Sequence, residues 1–413
     1  MAKQAFSGVK VIEYANFIAG PYCARLLADF GAEVIKIEES GTGDQSRKRG
    51  PFPQDIPSSE KSGLYSYVNW NKLGISLDLN DASGREIFHK LIKEADILIE
   101  DTPSGKDKEL GLDYETLSKI NPRLIVTSIT PNGKTGPYKD YKAYPLNLAH
   151  GSGAGYVLPC GDTYLAYPDR EPIKSAGYIG EYNSGETAVV AITAALFWRE
   201  TSGSGQHVDI SQREAISSLS RFEFSRYNQG FIENRASRTF PVGGLMCCKD
   251  GFVEISLMGK EHWLGIIKLI GNPEWSQKED YQYEKVVKGF ARQEEVNLKI
   301  KKEVNDYITC WMLEHTKDEI YHQGQACGIP VTKVANTQDV IESRQYNAHN
   351  YFVIVDHPEM GKIKYPTWPC KFSGTPPVIR RSAPLLGEHN EQVYTQLGYS
   401  KQDLITLHAA GVI

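Results

Sequence analysis

One carboxylate stands in an unusual setting. In Tyr178-Ile179-Gly180-Glu181-Tyr182-Asn183-Ser184-Gly185 the acid follows a glycine and leads into a long Ala- and Val-rich helical pattern, expected over 184–201. The glycine lets a ligand approach the backbone closely. The N-terminal end of a helix favours negative charge. Glu181 is therefore either a helix-capping acid or a carboxylate set against a ligand, and local chemistry leaves both open. The run Gly151-Ser152-Gly153-Ala154-Gly155 has half the spacing of a dinucleotide fingerprint. It follows no strand pattern, and no acid stands where a ribose partner is needed. A loop with close backbone approach is the expectation there. The chain has no GxxxxGK[ST], HExxH or GxSxG segment and no paired CxxC, which argues against the chemistries those motifs carry.

These residues need elements to hold them. Short apolar runs at 9–14, 33–37, 75–79, 96–100 and 124–129 predict strands. Between them, Gly20-Pro21 opens a helix through Leu26, Leu27 and Phe30, and 82–95 places Ile87, Leu91 and Ile92 at helical spacing. Strands alternating with helices predict βαβ units and a parallel sheet, an α/β fold. The helix at 184–201 ends at Ser202-Gly203-Ser204-Gly205 and hands over to a strand at 207–210. Around 225–325 the pattern changes. A hairpin is expected over 244–257, turning at Lys249-Asp250-Gly251, and a charged helix over 294–315. The expectation is a smaller α+β domain at 225–325, inserted into a large domain formed by 1–224 and 326–413, with a helical tail at 401–410.

A length of 413 residues suits two or three domains and buries a core without disulfides or metal. With 40% hydrophobic and 23% charged residues, the composition is that of a soluble globular protein. The net charge of −5 argues against nucleic acid as a partner. No apolar run approaches the ~18 residues of a membrane span, and the first residues lack a signal core. Seven cysteines, with Cys247 and Cys248 adjacent, read as reduced thiols. A cytoplasmic location is expected.

Several segments, taken in order, resemble the class III CoA-transferase family. They are Gly20-Pro21; the stretch from Leu27 to Glu38 (LADFGAEVIKIE); Asn71-Lys72; Ser76-Leu77-Asp78-Leu79; Ala95 to Glu100; Asn121-Pro122-Arg123; Gly203 to Gln206; Gly387-Glu388-His389-Asn390; and Leu397-Gly398-Tyr399. The family includes formyl-CoA, crotonobetainyl-CoA:carnitine, bile-acid and benzylsuccinate CoA-transferases and α-methylacyl-CoA racemase. The resemblance implies an interlocked homodimer, with CoA on a Rossmann-like large domain and a smaller middle domain. It implies a carboxylate, normally Asp, that forms an acyl anhydride and then a CoA thioester. That Asp falls on Glu181. Glu is one methylene longer, which displaces the carboxylate by about 1 Å on an unchanged backbone, a shift that can cost on the order of 100-fold. Either the pocket is adjusted to Glu181 or the subunit has lost catalysis.

The resemblance also implies a CoA site at Ile18, Ala19, Leu77, Asp78, Leu79, Asn80, Thr102, Lys108, Lys142, Ala143 and Tyr144. Acyl-CoA and a carboxylic acid are the expected substrates, with no metal and no nucleotide redox cofactor. Two positions depart from the family: Glu39 and Glu109 stand where basic residues help hold the CoA phosphates. Lys36, Arg47, Lys106 and Lys108 lie close in sequence and either substitute or form a solvated charged surface. Leu146 near the place of the racemase His, with His150 about four residues later, argues against racemisation. A silent subunit paired with an Asp-containing paralogue, as in heteromeric benzylsuccinate CoA-transferases, is the alternative. A dinucleotide-dependent oxidoreductase would rest on sheet topology and the glycine run alone.

Overall fold

The computed structural model describes residues 4–160, 163–164, 167–220, 224–225, 227–228, 230, 243–257, 259–288 and 295–413. The chain divides into two compact units. The first is Met1–Tyr156, Ile173–Gly230 and His349–Ile413; the second is Val157–Pro172 and Phe231–Ala348.

In the first unit, β1 (Lys10–Tyr14), α1 (Ala19–Asp29), β2 (Glu33–Glu38), α2 (Gly63–Asn69), β3 (Lys72–Ser76), α3 (Ala82–Glu94) and β4 (Ile97–Glu100) follow in turn. After them come α4 (Lys106–Leu110), α5 (Tyr114–Ile120), β5 (Ile125–Thr130), α6 (Pro145–Gly151), α7 (Ile179–Ser202), β6 (His207–Ser211) and α8 (Gln212–Ser217). The six strands pair in parallel in the order β3-β2-β1-β4-β5-β6. That is the order of a doubly wound sheet, whose crevice opens at the carboxyl ends of β1 and β4, where the strand order reverses. The central strands are buried and mostly apolar because helices cover both faces, with Glu13, Lys36 and Glu38 as buried charged exceptions. Val11, Ile97, Ile99 and Ile125 pack with Ala24, Leu27, Ala188 and Ile192. Ile12, Leu98 and Val126 pack on the other side with Ile87, Phe88, Leu91 and Leu117.

The third strand lies earlier than the expected 75–79. Its ladder with β2 runs from Val34↔Lys72 to Glu38↔Ser76. Lys72 looks like a strand boundary in the sequence, but it is fully buried and paired with Glu13 at 2.6 Å. Leu77 and Leu79 are buried beyond the ladder, and the Asp78 N–H donates to Val412 O at 2.8 Å.

The second unit carries β7 (Gly243–Cys248), β8 (Gly251–Ser256), α9 (Lys260–Leu269), α10 (Glu295–Glu314), α11 (Lys317–Ala326), β9 (Val331–Lys333), α12 (Thr337–Glu342) and α13 (Arg344–Ala348). Its three strands pair antiparallel in the order β7-β8-β9. The hairpin expected over 244–257 is β7–β8. The expected helix at 294–315 is α10, and Glu294 lies outside the described residues. The core of this unit is built from Met246, Val253, Ile255, Trp263, Ile266, Val304, Ile308 and Met312.

Back in the first unit, β10 (Phe352–His357) and β11 (Gly361–Pro366) form a hairpin, and α14 (Asn390–Gln396) and α15 (Lys401–Ala409) follow. Val393, Tyr394, Val412 and Ile413 are buried in the same core as β3 and α3. The C-terminal segment thus adds to the core on one face of the sheet that the N-terminal segment forms.

Candidate active site

Helix α7 begins at Ile179, five residues before the expected Ser184. Glu181 therefore sits inside its first turn, with Tyr178 at the N-cap. The early start has a packing cause. A Cβ on Gly180 would lie 2.7 Å from Ile216 Cδ1, so glycine lets this turn close onto α8 without displacing that side chain. Glu181 is 3% exposed, and among the described residues neither carboxylate oxygen has a hydrogen-bond partner of normal geometry. A capping acid accepts a backbone N–H of its helix; this carboxylate lies near its own N–H but makes no hydrogen bond of normal geometry to it. Burial raises its pKa, while its own N–H and the charge of Lys174 pull the other way and do not prevail. An unpaired buried carboxylate is costly, and such cost collects at functional sites.

One turn further along α7, a Cβ on Gly185 would stand 2.7 Å from Ala19 O and 3.2 Å from Tyr22 Cδ1. The helices meet backbone to backbone there. Residues four apart share a helix face, so Glu181 lies on the α1 side of α7. Rings surround the meeting point. Phe17 packs edge-on to Tyr178 at 5.1 Å, and Tyr22 edge-on to Tyr182 at 4.8 Å. Gly185→Ala is expected to lower stability by about 1–3 kcal/mol, because the methyl must push the Ala19 carbonyl away. Chemical denaturation beside Gly374→Ala, where a methyl meets open space, is the check; equal midpoints would refute the close approach.

The expected CoA residues leave the carboxyl ends of successive strands. Ile18 and Ala19 follow β1 and are buried. After β3, Leu77 and Leu79 are buried, Asp78 is half-buried and Asn80 is exposed. Thr102 follows β4, buried, its N–H donating to Glu100 Oε2 at 2.7 Å. Lys142 and Tyr144 are exposed and Ala143 half-buried, just before α6. Lys108 is exposed on α4, 4.0 Å from Glu115. Glu39 and Glu109 are exposed.

Two of the four replacement cations are unavailable. Lys36 is fully buried between Glu13 at 2.8 Å and Asp44 at 2.7 Å. Arg47 is buried against Glu38 and Glu60, both at 2.7 Å. Neither belongs to a solvated surface. Their partners lie 8 or more residues away in sequence, so local composition does not reveal them. Lys106 and Lys108 remain exposed.

Sequence reasoning missed Lys134 and Asp101. The Lys134 ammonium reaches Glu100 at 3.1 Å, Asp107 at 3.0 Å and Thr102 O at 2.7 Å. It borders an open cleft of about 520 Å³ that also runs past Lys108, Lys139 and His207. Asp101, next to the end of β4, accepts the Asn16 N–H at 2.8 Å, and burial pushes its carboxyl up to about 8. Position beside a strand's carboxyl end was the available signal for Asp101; Lys134 had none. Among the described residues, no group of three or more His, Cys, Asp or Glu is placed to hold a metal ion, and no helix is long and apolar enough to cross a membrane.

Fold and site together define a member of CoA-transferase family III. The model of that family matches residues 6–390, and the chain belongs to it. Among its relatives is a formyl-CoA:oxalate CoA-transferase of Afipia carboxidovorans, 30% identical over 440 residues, covering 100% of this chain and 98% of the relative. Another of the same name, from Shigella sonnei, is 31% identical and covers 97% of each chain. A solved CAIB/BAIF family protein from Brucella suis matches with a TM-score of 0.81 at 26% identity, over 96% of this chain and 100% of that one.

Proposed function

We propose that this protein moves CoA between organic acids, with Glu181 as the nucleophile. The buried Glu181 carboxylate on the α1 side of α7, without a hydrogen-bond partner among the described residues, carries this reading. The carboxylate attacks the thioester carbonyl of an acyl-CoA. An anhydride forms and CoA leaves as the thiolate. The thiolate attacks the Glu181 acyl carbon, giving a glutamyl-CoA thioester and freeing the first acid as its carboxylate. The incoming acid reverses these steps, and no net proton is exchanged. Splitting the exchange this way replaces one hard step with easier ones.

CoA lies along Ile18, Ala19, Leu77 to Asn80, Thr102 and Lys142 to Tyr144, with Lys108 towards the phosphates. The second unit acts as an inserted smaller domain, and the working form is an interlocked dimer in the cytoplasm. The exposed apolar side chains of Val190, Phe197 and Trp198 on α7 support association. Glu in place of Asp, with Glu39 and Glu109, favours a second reading: a silent subunit completed by an Asp-containing paralogue. Incubating the protein alone with a panel of acyl-CoAs decides between them. The expected result is a CoA-mass adduct on the Glu181 peptide that hydroxylamine removes. No adduct alone, with activity on adding such a paralogue, would establish the second reading.

A further inference from the structure

Charged side chains hold the backbone from the end of β1 into the first turn of α1 at four points. Lys36 Nζ donates to Ala15 O at 3.0 Å. Asp101 accepts from Asn16 N at 2.8 Å, and Asp44 from Phe17 N at 3.1 Å. Lys72 Nζ donates to Pro21 O at 2.7 Å. In the middle, Phe17 has a φ of +69°, a left-handed conformation that a bulky residue adopts only when its surroundings impose it.

We propose that Lys36 and Lys72 are positioning residues that hold residues 15–21, the turn after β1 and the start of α1, in the shape that receives acyl-CoA. Each ammonium has three donors; each makes two hydrogen bonds and a further ionic contact. Lys36 contacts Glu13, Asp44 and the Ala15 carbonyl. Lys72 contacts Glu13 at 2.6 Å, Asn69 at 2.7 Å and the Pro21 carbonyl. Both lysines are fully buried. Fully buried and engaged in this way, neither ammonium is open to a phosphate. What each contributes is one hydrogen bond to the backbone of 15–21, aimed by contacts with Glu13 on β1 and with Asp44 or Asn69. Glu13 joins the two lysines, so both ends of the turn are referred to one carboxylate on β1. A turn fixed before the ligand arrives loses less conformational freedom on binding.

This rests on the turn being a CoA site, and the test separates the two ideas. CoA is the probe, titrated into the full-length protein by calorimetry. Lys72→Met keeps the side-chain length, and Glu13 keeps Lys36 as its partner. The expected result is a Kd for CoA about 10- to 100-fold higher, with the adduct rate at saturating acyl-CoA changed less than about 3-fold, the split of lost binding rather than lost chemistry. Should the variant not fold, hydrogen exchange on the wild-type protein decides. Without ligand, the Asn16 and Phe17 amides are expected to exchange about 100-fold slower than free-loop amides. Wild-type CoA binding that Lys72→Met leaves unchanged, or free-loop exchange at 16–17, overturns the proposal. A wild-type protein that binds no CoA instead removes the reading of the turn as a CoA site.

Discussion

Glu181→Gln is expected to lower CoA exchange by at least about 10^4-fold while making the protein more stable. The amide has the shape of the acid but no anionic oxygen to attack a thioester, so no anhydride forms. The same substitution removes a charge that is buried with neither oxygen hydrogen-bonded among the described residues. A neutral amide there costs less to bury, and the gain is roughly 1–3 kcal/mol. The two effects separate in their pH dependence. Burial raises the Glu181 pKa above its unfolded value. Between those two values the folded protein binds more protons than the unfolded chain, so stability falls as pH rises. The stability difference between Glu181→Gln and wild type should therefore be small near pH 4 and grow as pH climbs past the folded pKa. Wild-type adduct formation needs the anion and should rise over the same window. Denaturation midpoints and single-turnover labelling, each from pH 4 to 8, provide the check. An activity loss under about tenfold would remove Glu181 from the nucleophile's role. Glu181→Asp is expected to lose about 100-fold, as the carboxylate retracts by about 1 Å from a pocket built around Glu. A gain would mean that the pocket is still shaped for Asp.

Glu181 was legible because its signals are local: a glycine, a helix start and a frame shared with a known family. The parallel sheet was legible because alternating apolar runs and helices leave few topologies. The misplacements share one cause, contacts with residues distant in sequence. The expected helix starts at Ser184, but Gly180 packs on Ile216 and the helix starts at Ile179, before it. Lys72 reads as the end of a strand, but Glu13 on β1 neutralises it inside the sheet. Lys36 and Arg47 read as free cations beside an expected phosphate site. Their acids, Glu13, Asp44, Glu38 and Glu60, come from other turns and strands. Local charge composition shows how many charges a segment has; it does not show which are already spoken for.

Asp29→Ala is expected to be the most destabilising of these substitutions, by about 3–5 kcal/mol. That is a large share of the roughly 5–15 kcal/mol that holds a typical fold. Asp29 is fully buried at the end of α1 and collects donors from three parts of the chain. Arg25 Nε lies at 2.9 Å, Trp70 Nε1 at 2.7 Å, Asn71 Nδ2 at 2.8 Å and Trp368 Nε1 at 2.6 Å. Removing the carboxylate leaves three neutral donors without their acceptor and Arg25, itself 1% exposed, without its counter-charge. Cation–π contact with Trp70 at 4.1 Å does not offset that loss. Arg25→Met together with Asp29→Ala should recover part of the loss, because the uncompensated charge goes with it. Urea denaturation followed by tryptophan emission reads the effect, since Trp70 and Trp368 both bond to Asp29. The damage should also reach catalysis. Arg25 lies 5.0 Å from the Tyr22 ring and 4.8 Å from the Tyr67 ring, and both rings pack on Tyr182, the neighbour of Glu181. A slower adduct rate in Asp29→Ala, measured well below its denaturation midpoint and restored in part by the double variant, would show that this buried cluster holds the aromatic wall as well as the fold. An unchanged midpoint would mean that water or rearranged neighbours take over the four donors.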